Sequence, residues 1–189
     1  MTDLVPRPGP APAVPAWRAV ARCVAVSAIL LARGRVHLSR SHVGRVVRFA
    51  DGTTARVYRE TTADGDVAEP CVLVVAFRLR GVRGPAGHAL FRAESMLNTP
   101  LFVGFPGFVS KLWLADDQRG TYRGLYEWDG AARAEAYARS LWRVLALVSV
   151  RGSIDYRVVP GLTRDAALAV PGALAGGRPP GAGAWWVVA

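Results

Sequence analysis

One stretch constrains this chain more than any other, the run from Gly107 to Asp129. Two aromatic-rich segments of alternating character flank a polar turn, Asp116-Asp117-Gln118-Arg119-Gly120, which predicts a β-hairpin. By the period of two, Val109, Lys111 and Trp113 share one face of the first strand, and Tyr122, Gly124, Tyr126 and Trp128 share one face of the second. A hairpin this apolar is not stable alone, so other strands and a covering layer must come from the flanks. Lys111 stands out within it: of the 24 basic residues it is the single lysine, set in mid-strand.

The flanks supply that layer. Val72–Leu79 is an apolar run bounded by turn residues and reads as a buried strand. Pro85 suits the first turn of a helix running to about Asn98, with Pro100 ending it. After the hairpin, Asp129 is a candidate N-cap. Ala134, Tyr137, Ala138, Leu141, Leu145 and Val148 then keep helical spacing. Ile154–Val159 alternates as a last strand, stopped by Pro160-Gly161. The order is β-α-β-β-α-β, an α+β, ferredoxin-like arrangement with one antiparallel sheet and two helices on one face. The opposite face is left apolar, and a second copy of the chain is the expected cover, giving a homodimer.

Around this unit, at 70–164, the chain divides into a flexible leader at 1–15, an N-terminal extension at 16–69 and a Gly/Pro/Ala-rich tail at 165–189. In the extension, Trp17, Val20, Val24, Ile29 and Leu31 predict a helix of about four turns from Ala16. Its uncharged run, Cys23–Ala32, is short of the ~20 residues needed to cross a bilayer. Arginines on both sides argue against a secretory signal, so the expected location is the cytoplasm; lying on the inner membrane surface is the alternative. Gly44–Tyr58 reads as a second hairpin turning at Asp51-Gly52, both residues at positive φ, and Thr61–Glu69 as a polar linker. The tail is expected to lack fixed structure over Pro171–Gly183 and ends in apolar Trp185-Trp186-Val187-Val188, free to dock on the domain, a partner or a membrane.

A hydrophobic content of 51% allows a real core and excludes global disorder. The formal charge of +10 would suit nucleic acid, but no reader motif accompanies it, so that partner is not expected. Two cysteines and three histidines without ligand spacing imply neither a disulfide framework nor a metal.

The succession Pro106-Gly107-Phe108, Ser110-Lys111-Leu112-Trp113, Tyr122–Trp128 and Ala134-Glu135-Ala136-Tyr137 resembles the YdhR-like monooxygenase family of the dimeric α+β barrel superfamily, over residues 72–159. The N-terminal helix and hairpin are additions to that pattern. The resemblance implies a dimeric α+β barrel with an apolar pocket between sheet and helices in each subunit. It also implies chemistry among cofactor-independent oxygenases of polycyclic phenols, cyclases and isomerases. No histidine matches a haem-ligating pattern.

Such chemistry needs a base, donors for a substrate anion, and dry walls. Lys111 can serve as base or counter-charge if it is buried, and alternatively pairs with Glu94 or Glu127 as a structural cation. Phe91, Glu94, Ser95 and Asn98 lie on one side of the first helix, making Glu94 and Asn98 candidate catalytic partners if that side faces the sheet. Phe91, Trp113, Tyr122, Tyr126 and Trp128 are candidate substrate-binding walls. Tyr137 is a core candidate first and a wall candidate second. The expected ligand is a bulky apolar or aromatic small molecule, without metal or bound cofactor. The alternative is a non-catalytic binding or membrane-associated accessory protein.

Overall fold

The computed structural model describes residues 9–82, 84–181 and 183–189, with Pro85 and Met96 as backbone only. The first eight residues of the expected leader lie outside the described residues. In chain order the elements are α1 (Ala13–Ala32), β1 (Val36–His37), β2 (Val46–Arg48), β3 (Thr54–Ala63), β4 (Pro70–Arg78), α2 (Gly84–Glu94), β5 (Phe108–Leu114), β6 (Thr121–Asp129), α3 (Ala131–Val148), β7 (Asp155–Pro160) and α4 (Arg164–Ala169). A 3-10 turn, Ser95–Leu101, continues α2, because Pro100 has no N–H for a regular helix ladder. Asp129 does not cap α3. Its Oδ1 accepts from the backbone of Ala68 and Glu69, and the capping position falls to Gly130, at φ +97°.

The sheet runs β1-β3-β5-β6-β4-β7, with β2 paired to β3 off this path, and every pairing is antiparallel. Its last four strands by sequence lie in the order β5-β6-β4-β7, with α2 and α3 as the crossovers, so the α+β, ferredoxin-like arrangement is present. The N-terminal hairpin is not a separate extension. Strand β3 lies along β5 from Val57↔Leu114 to Thr62↔Ser110, so Thr61–Ala63 belong to the sheet and not to a linker. The turn of that hairpin also differs from expectation. Phe49 N–H donates to Thr53 O, Gly52 sits at φ +82°, and among the described residues no non-glycine takes positive φ. This is a three-residue loop closed by one left-handed glycine.

Alternation splits the strands between two cores. Cys71, Leu73, Val75, Trp113, Tyr126 and Trp128 face the helices. Val72, Val74, Leu112, Leu114 and Leu125 face the other way. A bulge between Phe108 and Ser110 shifts the phase of β5, and Phe108 packs with Phe102 and Trp128 on the helix side, where a regular strand would have placed Val109. Helix α1 starts three residues before its expected Ala16, and buries Ala16, Val20, Cys23 and Ser27. Ser27 fastens it: its hydroxyl donates to Pro100 O at 2.9 Å and accepts from Gly104 N–H at 2.8 Å.

The second core is closed by the chain itself. The tail opens with α4, and within the stretch expected to lack fixed structure it forms a 3-10 turn, Ala173–Ala175. It buries Ala167, Leu168, Leu174, Ala184, Val187 and Val188 against the sheet. Backbone bonds from Ala50 N–H to Val187 O and from Ala189 N–H to Arg48 O extend the pairing. Two buried arginines clamp this cover. Arg164 reaches Glu60 at 3.0 Å. Arg123 reaches Asp117 at 2.6 Å, Asp51 at 3.0 Å and the carbonyl of Trp185 at 3.2 Å. The face expected to receive a second copy is therefore covered by Ala167, Leu168, Leu174, Ala184, Val187 and Val188 of the same chain.

Candidate active site

Between the sheet and the layer of α2, its 3-10 continuation and α3 lies a cavity of about 570 Å³. That is the size range of small-molecule sites. Strand alternation decides its floor: Lys111 and Trp113 from β5, and Tyr122, Gly124 and Tyr126 from β6, all point into the helix side. The roof comes from Phe91, Glu94 and Asn98 on one side and Tyr137, Leu141 and Leu145 on the other. Of the candidate catalytic and substrate-binding residues, Trp128 alone is not part of the lining. It is fully buried in the core against Tyr137 and Phe108. Glu94 is exposed at the rim and Asn98 is half-buried.

Lys111 is the unusual group. It is 6% exposed, with Nζ 3.1 Å from the Trp113 ring centroid, 4.5 Å from that of Phe102 and 4.8 Å from that of Tyr126. Among the described residues no carboxylate pairs with it. Glu127 lies on the opposite face, accepting from the backbone of Arg164. Burial, and secondarily the nearby positive charge of Arg59, push the Lys111 pKa well below that of an ordinary lysine. The aromatic faces soften the charged form without neutralising it. An amine held this way is ready to accept a proton, or to gain an anion.

Three further residues border this group: Arg59 and Tyr58, which the sequence did not single out, and His88, expected from its place four residues before Arg92 to be exposed. Arg59 is buried and stacks over Trp113 at 5.0 Å. Its Nη1 donates to Ser95 O at 2.9 Å and its Nη2 to Thr99 Oγ1, so it pins the 3-10 turn that carries Asn98. Tyr58 lines the cavity and donates to Ser95 Oγ; burial pushes its phenol up to about 12. His88 is half-buried, its Nδ1 2.7 Å from the Tyr122 hydroxyl and 3.4 Å from Asp116. Burial first, then Asp116, raises the Tyr122 pKa, so its phenol stays protonated as a donor. For both Arg59 and Tyr58 the only signal is alternation along β3, and the strand expected from the sequence ends at Tyr58, one residue before Arg59.

Gly124 has a steric role. A Cβ there would lie 2.5 Å from the Tyr126 ring, so glycine lets that ring lie flat over β6. Tyr126 in turn accepts a 3.2 Å hydrogen bond from the Tyr137 hydroxyl.

No protein-family model matches the chain, and no curated protein matches it. Among solved structures it is similar to an uncharacterised ferredoxin-fold protein from Listeria monocytogenes, related to antibiotic biosynthesis monooxygenases. The two are 12% identical, the match covers 66% of this chain and 90% of that one, and the TM-score is 0.35. Nothing about the site follows from that likeness. The fold stands on the strand order, and the chemistry on the cavity's own residues.

Proposed function

We propose that the cavity binds a bulky apolar or aromatic, polyketide-like molecule bearing a weakly acidic O–H or C–H, and that Lys111 takes that proton. The observation that carries this reading is a buried lysine that no carboxylate among the described residues pairs with, on the floor of an aromatic-walled cavity. The neutral amine accepts the proton. The resulting ammonium, with Arg59 behind Trp113, then holds the phenolate or enolate in a low-dielectric site where such attraction is strong. The Tyr122 hydroxyl donates to a second oxygen, and Asn98 orients the ligand at the mouth. With dioxygen as oxidant, the electron-rich carbon forms a C–O bond; one oxygen enters the product as C=O and the other leaves as water. Without dioxygen the same anion supports cyclisation or isomerisation. The resemblance of residues 72–159 to YdhR-like monooxygenases points the same way. The cavity is walled by residues of one chain, so the reading holds for a monomer and a homodimer alike.

The test is Lys111→Met, probed with 1-hydroxy-2-naphthoate, an aromatic anion followed by its own fluorescence. Losing a hydrogen bond to a charged group weakens binding by roughly ten- to a hundred-fold. The same variant melts at a higher temperature. The unfolded chain binds the lysine proton more tightly than the folded one, so Lys111 costs stability below pH 10.5 and that cost fades as pH rises. Unchanged naphthoate affinity in Lys111→Met rejects the proposed role.

A further inference from the structure

Helix α1 carries two stripes, and the cavity uses neither. One stripe, Ala16, Val20, Cys23 and Ser27, is buried on the domain. The other, Val14, Trp17, Val24 and Leu31, keeps a heptad-like spacing and is 61, 46, 40 and 44% exposed. Exposed apolar groups in such a row are a contact surface. Arg18 and Arg22 flank the row on the helix, and Arg33 and Arg35 follow it, all exposed. From Leu4 to Ala50 the sequence has eight arginines and no carboxylate, against +10 for the whole chain. The partner must therefore be both anionic and able to accept apolar side chains.

By length and composition α1 is apolar enough to cross a membrane. Its Ser27 bonds to Pro100 and Gly104 hold it flat on the domain, so it lies along a surface and does not span one. The rim of the cavity adds to the same helical layer: Leu97 and Leu147 both line it and are 79% and 60% exposed. Nucleic acid would need the arginines but leave Val14, Trp17, Val24 and Leu31 in water. A second copy would bring eight further arginines against the first eight.

We infer that this helical layer docks on an anionic lipid bilayer. Helix α1 lies in the plane of the interface, its apolar stripe among the acyl chains and its arginines at the headgroups. The inference does not depend on the chemistry assigned to Lys111. The experiment is co-sedimentation of the full chain with vesicles of phosphatidylcholine mixed with phosphatidylglycerol, and with phosphatidylcholine alone. The mixed vesicles are expected to bind at least about ten-fold more tightly, and the preference to shrink as salt is raised. The double variant Trp17→Glu/Val24→Glu is expected to lose binding by about ten-fold or more while melting as the parent does, since both sites are exposed. Lys111→Met is expected to bind vesicles as the parent does, so a failed cavity reading and a failed docking surface give different results. Three outcomes overturn the inference. The parent could stay in solution with mixed vesicles at low salt, or the double variant could sediment like the parent. A parent dimer that the double variant makes monomeric would show that α1 pairs two copies.

Discussion

Arg123→Ala is expected to lower stability by about 3–5 kcal/mol, the cost of stripping one partner from a buried ion pair. The guanidinium is almost fully enclosed and joins three separate segments: Asp51 in the first hairpin turn, Asp117 in the second, and the Trp185 carbonyl in the C-terminal cover. Without it, Asp117 is a buried charge that keeps only backbone donors, Arg119 and Thr121. For a chain of this size the loss corresponds to a fall in Tm of roughly 6–20 °C. Thermal melts of Arg123→Ala, and of a variant that also changes Asp51 and Asp117 to Asn, measure it. The combined variant should recover part of the loss, because a pair removed together leaves no orphaned charge. A drop below about 1 kcal/mol in the single variant would mean the clamp is hydrated and contributes little.

Gly104→Ala should act on the other side of the sheet with a similar magnitude. A Cβ at this position would fall 2.2 Å from the Cys23 carbonyl oxygen and 2.7 Å from the Ser27 nitrogen, both backbone atoms of α1. No rotamer change relieves that, so α1 must lift, and the two Ser27 hydrogen bonds go with it. Overpacking and two lost buried bonds together cost about 3–5 kcal/mol. Trypsin reports the displacement directly, because Arg18 and Arg22 lie on α1 and become cleavable when it detaches. An uncleaved helix and an unchanged Tm would show that α1 tolerates a wider spacing.

How much of this was legible follows from which signals were local. The central hairpin, β4 and α3 were readable because each combines a clear apolar pattern with a boundary: Gly120 in the turn, Pro70 opening β4, and the Arg151-Gly152 break beyond α3. Alternation alone put Lys111, Trp113, Tyr122 and Tyr126 on the side that became the cavity floor. Trp128 obeyed the same alternation yet lies in the core, because a period gives a face and not a depth. Val109 was misplaced because a bulge changes the phase of a strand without a residue type to announce it. Strand β3 was cut short at Tyr58 since Thr61 and Thr62 look like linker, although Thr61 is wholly buried beside Lys111 and accepts from the Trp113 indole at 3.3 Å. The tail was the largest miss. Small residues such as Ala167 and Ala184 bury well but carry no period, and its order depends on contacts with residues over a hundred positions away.

That cover has a consequence for how the protein is made. Every strand of the sheet is complete by Pro160, yet the layer that shields Val72, Val74, Leu112 and Leu125 comes from residues between Pro160 and Val188. At ~5–20 residues per second a ribosome needs about one to six seconds to add them. During that interval the nascent sheet shows a bare apolar face, and the same face is what a neighbouring nascent chain would present. That covering segment is therefore made after the surface it shields, and chains stopped at Pro160 are expected to associate.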